Sequence, residues 1–222
     1  MNKIKRYLAA CLLAVGLWAC ENKTVEPIAM YYQYFPVSIG DETIYNVTAI
    51  IYDDFTNTVD TTRYRLKEIV DTTYTNNEGD KTYIIYAFKE KDGSWLPFQT
   101  YTATPTRLRA ERVENNQRYI KMVFPVVENK SWKGNAKTNL DSWDYKYLNT
   151  HKPFSVSGIR FDSTLLIDQA LDSNLIQKVR SFEYYAANVG LIYKRNLFID
   201  KSNNKPKGYD NTYRIESYKR RR

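Results

Sequence analysis

Histidine and cysteine are nearly missing from this chain of 222 residues, which has one histidine, His151, and two cysteines, Cys11 and Cys20. A histidine-dependent catalytic triad would have to use His151, and no G-x-S-x-G elbow accompanies it. His151 precedes Lys152-Pro153 and reads as a solvated loop residue. Zinc needs clustered Cys, His or carboxylate ligands, so no metal site is expected. No Walker loop, dinucleotide fingerprint or EF-hand pattern occurs, so no cofactor is expected. Long hydrophobic runs are missing as well. The run Tyr7 to Ala19 covers 13 residues, short of the roughly 20 that a membrane-spanning helix needs. Glycine is scarce, at 8 residues, whereas tyrosine reaches 20. Abundant tyrosine and threonine favour strands over helices.

The net charge of +8 suggests a nucleic-acid or membrane partner until its distribution is read. Lys3, Lys5 and Arg6 open the chain and Lys219-Arg220-Arg221-Arg222 close it, leaving a nearly neutral body. Such a body has no large basic face for a phosphate backbone, and no nucleic-acid partner is expected. The terminal run, residues 219–222, reads as a solvated basic tail.

The basic start followed by the short apolar run is the pattern of a secretory signal peptide, here residues 1–19. Leu8-Ala9-Ala10-Cys11 and Leu17-Trp18-Ala19-Cys20 each place a small residue before a cysteine. The first would leave too short an apolar region; the second has a full one and is followed by polar Glu21-Asn22-Lys23. Leu17-Trp18-Ala19-Cys20 resembles the lipobox of bacterial lipoproteins, with Trp18 where a small residue is usual. The resemblance implies that Cys20 receives a diacylglycerol and becomes the N-terminus, anchoring the protein to a membrane. Removal of 1–19 leaves Cys20 as the one cysteine, so no intramolecular disulfide holds the fold. Residues 20–30 read as lipidated N-terminus and tether.

From residue 31 to 218 the chain reads as a single β domain. Period-two alternation marks strands over 43–53, 63–71, 107–113, 118–124, 165–170, 181–186, 191–199 and 213–218. The stretch 82–89 is apolar on both faces. Turn chemistry separates the strands at Asn76-Asn77-Glu78-Gly79-Asp80, Asp92-Gly93 and Asn115-Asn116. The pattern predicts an all-β fold, an antiparallel β-sandwich or half-open barrel of about ten strands, with at most one short helix near 172–178.

Two kinds of chemistry remain open in the residues. Glycoside hydrolysis needs two carboxylates, and Glu68, Glu111 and Glu183 are candidates whose mutual placement the sequence does not give. Trp95, Trp132 and Trp143 form a candidate aromatic binding set, core packing being the alternative.

Tyr34-Phe35-Pro36-Val37-Ser38-Ile39-Gly40 with Tyr45, Trp132-Lys133-Gly134-Asn135, and Glu183 to Tyr193 resemble stretches of small lipoproteins from Bacteroidota. Those proteins usually carry a tryptophan where this chain has Thr43. The resemblance implies an envelope address and brings no catalytic residues. Bacteria of this phylum glycosylate a short motif that Asp60-Thr61-Thr62, Asp71-Thr72-Thr73 and Asp162-Ser163-Thr164 resemble, which implies Thr61, Thr72 and Ser163 as O-glycosylation sites. Gly134-Asn135 is expected in a turn of positive φ, and Gly190 at a bulge or close approach. The expectation is a non-enzymatic protein lipid-anchored in the outer membrane, on its periplasmic or cell-surface face, which binds a glycan or an envelope protein. Its alternatives are a carboxylate-dependent glycosidase and a purely structural envelope component.

Overall fold

The computed structural model describes residues 27–140, 142–202 and 205–221. The expected signal peptide, Cys20 and most of the tether lie outside these residues. Within them the chain forms twelve antiparallel strands in one sheet. They are β1 (Glu42–Asp53), β2 (Thr58–Thr75), β3 (Lys81–Lys91), β4 (Ser94–Pro105), β5 (Arg109–Glu114), β6 (Gln117–Val123), β7 (Ser131–Lys133), β8 (Asp144–Val156), β9 (Ile159–Ser173), β10 (Gln177–Ala186), β11 (Gly190–Asp200) and β12 (Lys207–Lys219).

The sheet order is β6-β5-β4-β3-β2-β1-β12-β11-β10-β9-β8-β7. Two six-stranded meanders therefore join where β1 pairs with β12. The two ends of the order meet again through the bridge Arg118↔Lys137 and the bond from Ile120 N–H to Gly134 O, 2.7 Å. The result is an up-and-down barrel with one seam, between β6 and β7. Tight turns set the registers. Asp92-Gly93, Asn115-Asn116 and Ser157-Gly158 all have positive φ at both positions, the combination that matches strand twist in two-residue hairpins.

All-β architecture with a nearly closed barrel agrees with the expected fold class, and the strand count is twelve where about ten were expected. The strands not anticipated are β4, β7 and β8. The proposed helix near 172–178 is instead the β9–β10 hairpin tip, where Asn174 Oδ1 accepts from the amides of Ile176 and Gln177. Among the described residues the one helical turn is a 3-10 turn at Tyr32–Tyr34.

That turn belongs to a segment, residues 31–41, that fills one end of the barrel. Tyr34 is fully buried, and Phe35 and Val37 pack on the core. Tyr34 Oη lies 2.8 Å from His151 Nδ1 and 2.7 Å from Ser163 Oγ. His151 is therefore a correction to the loop reading. It sits in β8 at a break of register, with φ 60, and binds the plug. The chain's other end closes on the same place. Arg220 donates from Nη1 to Glu42 O at 3.1 Å and from Nη2 to Thr43 Oγ1 at 2.9 Å, and Arg221 N–H donates to Asp41 Oδ1 at 2.8 Å. The basic run read as solvated is thus bound into the body through Arg220 and Arg221. By hairpin alternation, the turns at 54–57, 92–93, 115–116 and 174–176, with the end of β11 at Asp200 and the start of β12 at Lys207, all lie at the opposite end.

Candidate ligand cavity in the barrel lumen

Period-two alternation sends every second side chain of each strand into the lumen. On β1 these are Tyr45 and Val47; on β2, Leu66, Glu68 and Val70; on β5, Arg112 and Glu114. Near the plugged end the lining is mostly apolar, with Asp41, Thr43 and Arg220 among it. Farther along the barrel it becomes charged, and beyond that amide and aromatic.

The charged layer is an uninterrupted ion network. Arg112 Nη2 donates to Glu68 Oε1 at 2.6 Å, and its Nε lies 2.9 Å from Glu114 Oε1 without aligning to donate. Glu114 Oε2 accepts from Lys194 Nζ at 2.8 Å and lies 3.5 Å from Lys121 Nζ. Lys121 donates to Glu183 Oε1 at 2.7 Å, and Tyr185 Oη donates to Glu183 Oε2 at 2.7 Å. Three carboxylates thus face three cations, contributed by β2, β5, β6, β10 and β11, so the network reaches across the lumen. Two of its carboxylates, Glu183 and Glu114, are shifted in the same direction. Burial opposes ionisation of Glu183, yet Lys121 and Lys194 hold it below the usual carboxylate range. Burial opposes Glu114 in the same way, and Lys121, Lys194 and Arg112 hold it well below that range. Lys194 is raised well above the usual lysine value by Glu114 and Glu183, against the effect of burial.

The network is a partition. On the plugged side lies a cavity of about 60 Å³, lined by Phe35, Pro36, Val37 and Val70 among others. On the other side is a cavity of about 430 Å³. Glu68, Arg112, Glu114 and Tyr45 line both. Above the partition the wall is amide and aromatic, with Gln99, Gln169, Gln177, Asn196 and Asn211 interleaved with Tyr101, Tyr119, Tyr145, Trp143, Phe198 and Tyr213. Gln169 is 5% exposed, and its Nε2 has no hydrogen-bond partner in the protein.

The residues proposed from sequence separate in space. Glu68 and Glu183 enter the network. Glu111 points to the outer face, where Arg109, Arg118 and Lys137 hold it. The three carboxylates are therefore not a cluster. Trp143 lines the cavity. Trp132 stands at the seam, donating from Nε1 to Ile120 O at 2.8 Å with its ring 4.5 Å from that of Tyr147. Trp95 lies under Lys67 and Arg65. The three tryptophans thus occupy three settings. Thr61 and Thr72 are exposed on β2, whereas Ser163 is half-buried against Tyr34. Gly134 lacks the expected positive φ; a Cβ there would stand 2.0 Å from Tyr145 Cδ2, so close ring approach is what the glycine serves. Gly190 does have positive φ, 88°, next to the register shift of β10 and β11.

Sequence reasoning missed Arg112, Glu114, Lys121, Lys194 and Gln169. The signal available was their phase: each shares the inward face of its strand with other lumenal residues, polar ones such as Asn196 included.

No protein-family model matches the sequence, and no curated protein matches it. Two solved structures are similar in part. One is a candidate lipoprotein from Parabacteroides distasonis, 14% identical, with a TM-score of 0.37 over 87% of this chain and 100% of that one. The other is a candidate outer membrane lipoprotein-sorting domain from Vibrio parahaemolyticus, 12% identical, with a TM-score of 0.24 over 81% of this chain and 85% of that one.

Proposed function

We propose that this is a lipid-anchored protein of the bacterial envelope, held at the outer membrane through Cys20, which binds a ligand in its barrel lumen and catalyses no reaction. The observation that carries the reading is the cavity of about 430 Å³ above the partition. Its size is within the roughly 300–1,000 Å³ of ordinary ligand pockets, and its wall mixes aromatic faces with directed polar groups. A barrel of twelve strands has room for such a space, where a narrower one fills with its own side chains.

The glycosidase alternative fares worse on electrostatics. A general acid must keep its proton near neutral pH, which requires a raised pKa. Glu114 and Glu183 are shifted the other way. Each lumenal carboxylate is also engaged by a cation and not free to face a scissile bond.

Native mass spectrometry of the protein released gently from its envelope tests the lumen as the binding place. The wild type is expected to carry a bound small molecule. Ser181→Trp, which fills the lumen from β10, is expected to lose it while keeping its thermal midpoint. Equal occupancy in the two proteins, or an empty wild type, would count against the reading.

A further inference from the structure

The side chains above the partition restrict what the lumen can hold. Each cation of the network already lies between two carboxylates: Arg112 between Glu68 and Glu114, Lys121 and Lys194 between Glu114 and Glu183. An anionic ligand would have to take a cation from these carboxylates and leave them buried with less compensation. A cationic ligand meets the mirror-image obstacle. An acyl chain would strip water from the amides and phenols of the wall and return no hydrogen bond.

What is left to greet a ligand is neutral and two-handed. Gln169 offers an unpartnered Nε2–H donor inside the cavity wall. Gln177, Asn211, Tyr119 and Tyr145 present amides and phenols to the same space, groups that both donate and accept. Trp143 adds an aromatic face, its backbone amide fixed by Asn135 Oδ1 at 2.8 Å. Sugar hydroxyls also donate and accept, and sugar rings carry apolar C–H faces that lie on aromatic rings.

We infer that the lumenal ligand is a neutral saccharide, held by Gln169 and stacked on Trp143 above a charge-neutral floor. The inference rests on the lumen reading of the previous subsection and adds the ligand class to it.

Isothermal titration of residues 21–222, which contain every described strand, tests it. The probes are maltotriose, cellotriose, xylotriose and triacetylchitotriose, with trigalacturonate and decanoate as the charged and acyl comparators. At least one neutral trisaccharide is expected to bind saturably. Gln169→Leu and Trp143→Ala are each expected to weaken it by about tenfold or more, with far-UV circular dichroism unchanged. Trigalacturonate should bind at least about tenfold more weakly than the best neutral probe, because no cation is free to meet it. Preferred binding of trigalacturonate or decanoate would overturn the ligand class and leave the lumen reading standing. Failure of all four neutral sugars would overturn the inference as well. If the wild type is then also empty by native mass spectrometry, the lumen reading falls with it.

Discussion

Glu183 is fully buried, and its charge is tolerated there because Lys121, Lys194 and the Tyr185 phenol surround it. Removing one member of such a set leaves an uncompensated charge, at a typical cost of about 3–5 kcal/mol. Lys121→Met, which keeps the stem volume and deletes the ammonium, is therefore expected to lower unfolding free energy by about that amount in urea titrations. A change near zero would mean that Lys194 compensates alone. The network also fixes a pH dependence. Glu114 and Glu183 have folded values below the unfolded value of about 4.3, so their contribution is present above that pH and lost as pH falls through the folded values. Lys194 is raised, so its contribution is complete below its unfolded value of about 10.4 and lost as pH climbs through the folded one. The urea midpoint is expected to be flat between about pH 6 and 9 and to fall on the acid side, with Glu114→Gln flattening the acid limb. These residues were illegible in the sequence for a physical reason. Alternation tells which residues share a face, but a charge on a face is ordinarily read as water-facing. Only a second charge of opposite sign on the facing strands turns Arg112 or Lys194 into an interior residue, and that pairing is set by topology.

Among the elements, two of the three strands that escaped detection, β4 and β8, contain proline, and the third, β7, is only three residues long. Proline cannot donate to a ladder and is confined to edges and bulges. In β4, Pro97 falls at the register shift against Ala87 and Phe88, and Pro105 is the last residue. In β8, Pro153 lies in the irregular stretch between Lys152 and Phe154, and Asn149 and His151 have positive φ. The prolines mark bulges inside strands, where the sequence suggests loops. Strands β1, β3 and β11 were legible almost to their ends, as 43–53, 82–89 and 191–199, because no proline interrupts them. The seam is the element most open to test. Ile120 N–H relies on one bond to Gly134 O, whereas β11 is paired along both edges. Amides of β6 are expected to exchange with deuterium ahead of those of β11, since local opening follows the weakest pairing. Uniform exchange would show that the side-chain bonds of Trp132 and Tyr147 close the seam fully. Gly134→Ala probes the same place, because its Cβ would meet the Tyr145 ring. An overpacking cost of about 1–3 kcal/mol is expected, with partial recovery when combined with Tyr145→Leu. Absence of that recovery would locate the strain in the backbone.

At the scale of the molecule, the fold class could be read from alternation and frequent turns, but barrel closure could not. Closure depends on β1 meeting β12 across the full length of the chain, a contact with no local trace in either strand. The same closure brings both ends of the described chain to one pole. Residues 31–41 plug that pole, Val126 N–H donates to Met30 O, and Arg220 ties β12 beside it. The cavity opens toward the other pole, where Asn115, Leu140 and Gln177 line it. With Cys20 acylated, the tether from Cys20 to Met30 reaches at most about 35 Å when fully extended. Strands such as β9, 15 residues long, rise about 50 Å along their own direction, and tilting in a barrel shortens this to nearly the tether's full reach. Turning the mouth toward the anchoring membrane would thus require a tether stretched along the barrel wall, at a large entropic cost. The plugged pole is therefore expected to face the bilayer and the mouth to face away, so that ligand arrives from the space beyond the membrane surface. Energy transfer on vesicles carrying the acylated protein measures this. A donor dye is placed at Phe55→Cys, 91% exposed at the mouth, or at Asn77→Cys, exposed in the β2–β3 turn beside the plug, with the acceptor in the lipid headgroups. Transfer is expected to be stronger from position 77 than from position 55. The reverse order would place the mouth against the membrane and make the bilayer itself the source of whatever the lumen holds.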